Sequence, residues 1–120
     1  MPSREWLLRI HDIIAAAMEN IQSTQFMTFE QFEMAESLFI KGILYNFIII
    51  GEAAINVPEE IQIRYQKIPW RLMSDMRNVM AHEYFQVNLR RVWKTIRIYL
   101  PPLIEQLQDL LEREGAINND

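Results

Sequence analysis

The sequence contains no cysteine, only two histidines and only three glycines among its 120 residues. Without cysteine, a disulfide framework, a thiolate metal site and a thiol nucleophile are excluded. His11 and His82 are too few for a histidine-rich metal site, no HExxH motif is present, and we expect neither a metal nor a cofactor. A glycine-rich phosphate loop and the G-x-S-x-G motif of serine hydrolases are also missing, which excludes those two chemistries.

The sequence also has no stretch typical of a signal peptide or a membrane span. The start, MPSREWLLRI, carries charges within its first five residues. The most apolar run, residues 47–55, is interrupted by Glu52 and is too short to cross a bilayer. We therefore expect a cytoplasmic protein. The length fits one domain over residues 1–120, and a hydrophobic fraction of 50% is enough to bury a core.

The formal net charge of -4 hides an uneven distribution along the chain. Residues 64–97 contain eight basic and two acidic residues and carry +6, whereas the remainder carries -10. The overall charge argues against a general nucleic-acid binder, but the basic segment holds the polar motif described below. Two interpretations stay open: the basic segment serves a functional site, or it pairs with acidic neighbours inside the fold.

Apolar residues recur at helical spacing and predict an all-α fold of about five helices, joined by short loops into an antiparallel bundle. The expected helix starts carry capping or first-turn residues, which are Ser3, Thr28 with Gln31, Pro58, Pro69 and Asn88. The second helix should run unbroken from Thr28 to about Asn56. Pro101 and Pro102 should break or kink the fifth helix, and the last helical segment should end near Gly115.

Residues 43–55, ILYNFIIIGEAAI, are apolar nearly all round the second helix. One small bundle cannot easily cover such a helix, so we expect a homodimer that buries part of it or of the motif helix. Within this run, Glu52 is interpreted as a core carboxylate paired with an arginine or a tyrosine hydroxyl, and a supporting catalytic role is the alternative. We also expect Trp6, Trp70 and Trp93 to lie in the core and His11 to lie at the surface.

Four polar residues with useful chemistry fall in the stretch MRNVMAHEYF, residues 76–85. On a helix, Arg77, Asn78, His82 and Tyr84 span a polar arc of about 140°. The opposite, core-facing arc is predicted to hold Leu72, Met73, Met76, Val79 and Met80. Arginine suits phosphate, histidine can transfer a proton near neutral pH, and asparagine can orient either partner. The set would serve metal-free phosphodiester cleavage, although any amphipathic helix shows a polar arc.

Arg77 and His82 lie five residues apart, so a straight helix points their side chains in different directions. Three solutions remain open: the arginine bends across the turn, the helix ends near His82, or a second subunit completes the site. The spacing alone fits all three.

The motif and its surroundings resemble a known family. The polar residues from Arg77 to Tyr84 match the R-x4-H-x-Y motif of the HEPN superfamily, with the polar residue often found directly after its arginine. Three stretches resemble the DUF86 (HepT-like) branch in the same order: NFIIIGEAA, VPEEIQIRYQKIPWRLMSDMRNVMAHEYF and VWKTIRIYLPPLIEQL. Members often carry glycine and aspartate where this chain has Gln86 and Asn88. Asn88 can still cap a helix, whereas Gln86 lacks glycine's freedom in a turn.

The resemblance implies a helical bundle that dimerises, with two copies of the motif facing one cleft. It implies a metal-independent endoribonuclease, the toxin of a type VII-like toxin–antitoxin pair whose antitoxin is a minimal nucleotidyltransferase that AMPylates Tyr84. In that mechanism His82 is the general acid or base, Arg77 stabilises charge on the phosphoryl oxygens, and Asn78 positions the 2′-hydroxyl or the imidazole. The alternatives are a non-catalytic module that holds a nucleotide or a partner domain in its dimer cleft, and a purely structural helical dimer.

Overall fold

The computed structural model describes residues 4–82 and 86–118, and the side chains of His82 and of residues 116–118 lie outside that description. Within these ranges every regular element is a helix and no strand occurs, which confirms the predicted all-α fold. The helices are α1 (Trp6–Thr24), α2 (Phe29–Glu33), α3 (Ser37–Ile55), α4 (Glu59–Arg64), α5 (Trp70–His82), α6 (Leu89–Lys94) and α7 (Leu100–Asn118). A π-helical segment, Thr95–Tyr99, joins α6 to α7.

Local capping signals place most of the helix starts where the sequence predicts them. The Thr28 hydroxyl accepts a hydrogen bond from the Gln31 backbone amide, and the Gln31 side chain accepts one from the Thr28 amide, so the capping box is present. Asn88 accepts hydrogen bonds from two backbone amides in the first turn of α6. Pro58 and Pro69 directly precede α4 and α5. The remaining predicted cap, Ser3, lies outside the described residues, but α1 begins at Trp6 with Glu5 at the N-cap position, so the expected helix start at Ser3 is wrong.

The second predicted helix is not continuous to Asn56, so that expectation is wrong. The chain leaves the helix after Glu33 and resumes at Ser37, although neither proline nor glycine lies between them. Packing explains the break. Phe32 is fully buried, with its ring centroid 5.3 Å from that of Trp93, whereas α3 packs against α1 and α5. The chain must therefore turn between the two helices to satisfy both contacts.

Of the break or kink expected in the fifth helix at Pro101 and Pro102, no break occurs, because α6 continues through the π-helical segment into α7. Pro101 and Pro102 lie in the first turn of α7, which follows the π-helical segment without a loop and extends to Asn118, beyond the predicted end at Gly115. A proline lacks an N–H group, and its ring crowds the carbonyl four residues earlier. The wider π-helical turn lies in the segment that contains those carbonyls, and we attribute it to the prolines.

The core is built around α3, which packs against α1 on one side and α5 on another, while α7 packs against α1. Its fully buried side chains come from all four helices, and the largest include Ile10, Ile13, Phe47, Ile50, Met73, Leu107 and Leu110. Trp6 and Trp70 are buried as predicted, and Trp93 is partly buried. Helix α3 has 19 residues and a mean hydropathy of 1.7, so by length and composition alone it could cross a membrane. It is longer than the apolar run noted in the sequence. A core helix passes the same test, and α3 has that position here.

Two buried polar residues fix how α1 and α3 pair. Asn46 of α3 donates hydrogen bonds of 2.8 Å to both Glu19 and Asn20 of α1. Asn20 donates in turn to the carbonyl of Ile43 at 3.1 Å. Because these buried groups would lose their partners if either helix slid by one turn, the pairing specifies one register of α1 against α3.

A buried carboxylate that the sequence analysis missed links distant parts of the chain. The carboxylate of Glu114 on α7 accepts two hydrogen bonds from Arg64, at 3.1 and 2.9 Å, and one from the Tyr65 hydroxyl at 2.5 Å. Nη2 of Arg4 lies 3.7 Å from Oε1 of the same carboxylate. Burial raises the pKa of the Glu114 carboxyl, but the hydrogen bonds from Tyr65 and Arg64 and the positive charges of Arg64 and Arg4 outweigh it, so the pKa is lowered overall. Burial and the same hydrogen bond raise the pKa of Tyr65 to about 12.

Candidate functional site

The position of the motif helix is set by a glycine on α3. A Cβ atom added at Gly51 would lie 2.2 Å from the Cβ of Arg77 and 2.6 Å from the carbonyl oxygen of Met73. Real Cβ atoms do not approach other atoms this closely, so only glycine permits this contact. The GE dipeptide of α3 is thus placed directly against the turn of α5 that carries the candidate arginine.

Arg77 is held between two acceptors at the edge of this contact. Its Nη2 donates to Glu52 Oε1 at 3.3 Å, and its Nη1 donates to Asn78 Oδ1 at 2.7 Å. The Arg77 side chain keeps 31% of its surface exposed, and no other described residue accepts a hydrogen bond from it. Since a guanidinium has five N–H groups, Arg77 is oriented by these two contacts and still has donors for an oxygen-rich ligand.

Glu52 is only partly what the sequence analysis predicts. Its pairing with an arginine is confirmed, but its side chain is 50% exposed, so the expectation of a core carboxylate is wrong. The buried carboxylate bound by both an arginine and a tyrosine hydroxyl is Glu114 instead. An apolar run around a helix does not reveal which of its sides the rest of the chain covers. Nothing in the local pattern near residue 52 distinguishes these two outcomes.

The buried face of α5 is rotated from its predicted position. Met73 and Met80 are buried as expected, but Leu72 and Val79 are 47% and 41% exposed. On a helical wheel the buried arc lies roughly 60° closer to Arg77 than predicted. The close approach at Gly51 explains the shift, because α3 packs against the Arg77 side of the helix.

This rotation leaves an open groove along α5, on the side of the helix that faces away from Arg77. A cavity of about 570 Å³ separates α5 from α6 and the π-helical segment. Leu72, Met76 and Val79 form its α5 side, and Tyr99 and Val92 contribute from the other side. Leu72, Val79 and Tyr99 are all exposed, so the groove has an apolar rim that is open to solvent.

The remaining motif residues are only partly described. Asn78 is exposed on α5 and bonded to Arg77, and the backbone of His82 is the last described helical residue of α5. The side chain of His82 lies outside the described part of the chain, as does Tyr84. Their position relative to Arg77 therefore stays a prediction.

Three basic residues of this segment are paired with carboxylates and five are not. Arg64, Arg71 and Arg77 form ion pairs with Glu114, Asp75 and Glu52, respectively. The other five basic residues of the segment have no carboxylate of residues 4–82 or 86–118 within 4.0 Å. These five are Lys67, Arg90, Arg91, Lys94 and Arg97. The interpretation of internal pairing is thus confirmed for three of the eight residues. The charge of α6 and the π-helical segment remains uncompensated locally.

A metal site has no visible ligand set in the described portion of the chain. No group of three or more histidine, aspartate or glutamate residues there could hold a metal ion. The expectation that the protein needs no metal or cofactor stays a prediction, to be tested by activity.

Comparison with known proteins identifies relatives over most of the chain. Residues 14–110 match the family described as "Ribonuclease HepT-like". The chain is 34% identical to a "Putative RNase" of Caldanaerobacter subterraneus subsp. tengcongensis, covering 78% of this chain and 83% of the relative. It is 35% identical to a "Probable ribonuclease HepT" of Thermococcus cleftensis, covering 81% and 88%. A "Putative RNase" of Methanocaldococcus jannaschii is 28% identical and covers 99% and 98%. No solved structure matches.

We expect Gly51→Ala to lower the free energy of unfolding by about 1–3 kcal/mol, because the new methyl group must push α3 and α5 apart. Gly42→Ala is the matched control on the same helix, since nothing lies within 4 Å of a Cβ added there. That control should raise the free energy by up to about 1 kcal/mol through better helix propensity. Urea denaturation followed by circular dichroism measures both variants. Equal stability of the two would contradict the close approach at Gly51.

Proposed function

The chain belongs to the HepT-like ribonuclease family, and from this premise we propose that it is a metal-independent endoribonuclease that cuts RNA at the α5 motif. The observation that carries the proposal is the arrangement of Arg77, which is oriented by Glu52 and Asn78 while part of its guanidinium stays exposed. A fixed guanidinium fork matches the geometry of phosphoryl oxygens. One hydrophobic core contains residues from α1 through α7, which supports treating residues 1–120 as one domain.

The proposed reaction is transesterification within the RNA backbone. The 2′-hydroxyl oxygen forms a bond to the adjacent phosphorus, the bond from phosphorus to the 5′-oxygen breaks, and a 2′,3′-cyclic phosphate remains. His82 takes the proton from the 2′-hydroxyl or supplies one to the leaving 5′-oxygen, and solvent exchanges the other proton. Arg77 stabilises the negative charge that builds on the phosphoryl oxygens. No step requires a metal ion.

Asn78 and Glu52 are proposed to support Arg77. Both accept hydrogen bonds from the guanidinium, at 2.7 and 3.3 Å, so together they restrict its orientation. The Asn78 contact adds an orienting role for Arg77 to the expected positioning of the 2′-hydroxyl or imidazole. Glu52 contacts Arg77 from α3 and acts as a positioning residue, since it need not touch the RNA itself.

If the proposal is correct, RNA should be cut in excess EDTA, and His82→Ala and Arg77→Ala should each slow cleavage by roughly a hundredfold or more. Arg71→Ala is the matched control, because Arg71 is an exposed arginine on the same helix whose only carboxylate partner among the described residues is Asp75. It should cut at the rate of the parent protein. Cleavage that requires a divalent metal, or catalytic variants that cut as fast as Arg71→Ala, would contradict the assignment. Binding of RNA without any cleavage would favour the non-catalytic module.

We also propose that the protein is a homodimer in which two motifs face a shared cleft. The exposed apolar rim of the groove, formed by Leu72, Val79 and Tyr99, supports the homodimer, although it lies on the side of α5 that faces away from Arg77. A second copy that covers this rim would remove apolar surface from water and bring its own α5 beside the first. The shared cleft around Arg77 and His82 is proposed for this dimer on the strength of the family resemblance.

Light scattering at micromolar concentration should give about twice the chain mass of 14.4 kDa. The double variant Leu72→Asp/Val79→Asp should be monomeric with unchanged helix content, because both side chains lie outside the core. Leu8→Asp is the control, since Leu8 is an exposed leucine on α1 and should leave the dimer intact. A parent protein that is monomeric would eliminate the shared-cleft arrangement.

Control of such a ribonuclease is proposed to act through Tyr84. The partner would be a minimal nucleotidyltransferase antitoxin, in a toxin–antitoxin pair located in the cytoplasm, and the two proteins could form a larger hetero-oligomer. Tyr84 follows Arg77 by seven residues, which is two helical turns if α5 continued that far. An AMP group on its hydroxyl would place a phosphate near Arg77 and adenosine in the cleft. It would thereby block RNA by both charge and bulk.

Co-expression with the partner nucleotidyltransferase should add one or more AMP groups to Tyr84 and abolish RNA cleavage, as measured by intact and peptide mass spectrometry. Tyr84→Phe should stay unmodified and escape this control. Tyr45→Phe is the matched control, because Tyr45 is an exposed tyrosine on α3, outside the motif. It should be modified and silenced like the parent. A parent protein that is fully silenced without modification would mean that the partner inhibits by occlusion.

A further inference from the structure

Three of the four unpaired basic residues of α6 and the π-helical segment line up on one face. Arg90, Lys94 and Arg97 are spaced by four and three residues, which places them on the same side of a helix. Arg90 and Lys94 are exposed, and no carboxylate among the described residues pairs with any of the three. This face keeps its positive charge even though the whole chain is acidic.

Aromatic residues are interleaved with these cations. The Arg90 guanidinium lies 4.1 Å from the ring centroid of Phe29, and that of Arg97 lies 4.3 Å from the ring of Trp93. Trp93 and Phe29 also contact each other edge to face, with centroids 6.2 Å apart. The rings therefore fix the two arginines in place while their charge stays unneutralised.

The loop between α1 and α2 adds an exposed ring beside this face. Arg97 donates a hydrogen bond to the carbonyl oxygen of Thr24, and Phe29 begins α2, so both ends of the loop are held against α6 and the π-helical segment. Phe26 lies in this short loop and is 91% exposed. A large apolar ring so fully in water has no role in the core, and its loop is held at both ends by the arginines of this face.

We propose that this region forms a second RNA-binding surface, distinct from the α5 motif, which we call the α6 face. Its six residues are Phe26, Phe29, Arg90, Trp93, Lys94 and Arg97. The cations would contact phosphates of a single-stranded RNA, and a base would stack on Phe26. This inference rests on the proposed ribonuclease function. Alternating cations and aromatic rings are the combination that binds single strands with little sequence preference. An acidic protein segment would neutralise the cations but would leave the exposed ring unexplained.

The α6 face is connected to the motif through the body of α6. Arg91 and Val92 line the same cavity as Val79 and Met80 of the motif helix. The motif lies on the other side of α5 from this cavity, so a strand that joins the α6 face to Arg77 must pass about two helix diameters, roughly 20 Å. The surface would hold the RNA while the motif cuts a phosphodiester bond several nucleotides away.

Binding is tested with a fluorescein-labelled oligouridine of about 12 nucleotides, in a His82→Ala background that prevents cleavage. Phe26→Ala should weaken binding roughly tenfold at every salt concentration, because the variant has no ring on which a base can stack. Phe26→Trp should retain the affinity. Arg90→Ala/Lys94→Ala should reduce the slope of log affinity against log salt by about 0.7 for each phosphate that the variant no longer binds.

Matched controls remove similar side chains elsewhere on the surface. Ile63→Ala removes an exposed apolar residue of α4, and Arg71→Ala/Arg113→Ala removes two exposed arginines that have carboxylate partners. Both should bind the oligouridine like the parent. Thermal unfolding of every variant confirms that the fold is retained, since none of these side chains lies in the core.

Cleavage assays with an intact His82 separate this surface from the motif. The α6-face variants should cut a dinucleotide at the parent rate, because it reaches only the motif, and should show a raised KM for the oligouridine. A parent protein that neither binds nor cuts RNA would overturn the proposed function. A parent that cuts RNA, with α6-face variants that bind and cut the oligouridine like the controls, would overturn this surface alone. Its occupant would then be an acidic protein segment.

Discussion

The contact between Gly51 of α3 and the turn of α5 from Met73 to Arg77 determines most of what is distinctive about the motif. Because no side chain separates the two backbones there, the neighbouring Glu52 reaches the Arg77 guanidinium. The same contact rotates α5 so that its Arg77 side packs against α3. Leu72 and Val79 are consequently left in solvent and form the rim of the groove. One glycine thus links the orientation of the candidate catalytic arginine to the surface proposed for the dimer.

The distribution of ion pairs reconciles an acidic chain with an RNA substrate. Arg64 is neutralised by a buried carboxylate that links α4 to α7, whereas Arg90 and Lys94 have no described carboxylate partner. Exposed charges more than about 10 Å apart are largely screened at physiological salt. An approaching phosphate is therefore affected mainly by the charges of the face it meets, and much less by the formal net charge of -4. The local pairing of each cation, which only the fold reveals, decides where a polyanion can bind.

Sequence patterns predicted several helix starts, whose determinants are local. The capping box at Thr28, the cap at Asn88 and the proline before α5 each act within one turn, and all three helix starts are confirmed. The break after Glu33 was not predictable in this way, because it arises from Phe32 packing against Trp93, about sixty residues away. For the site, the placement of Arg77 and Asn78 on a single helix was predictable from spacing. The rotation of that helix was not, since it depends on an absent side chain at residue 51 of another helix.

The pairs Arg64–Glu114 and Arg77–Glu52 differ mainly in their exposure to solvent. This difference distinguishes a structural link from a candidate site. Glu114 is buried and accepts hydrogen bonds from Arg64 and Tyr65, so breaking the pair would leave a charge without water. Glu52 is half exposed, and an exposed ion pair of this kind contributes only about 0–1 kcal/mol. Water still solvates the Glu52 carboxylate, so this pair orients the Arg77 guanidinium without closing it off from solvent. The exposed pair therefore leaves an oriented arginine accessible, while the buried pair links α4 to α7.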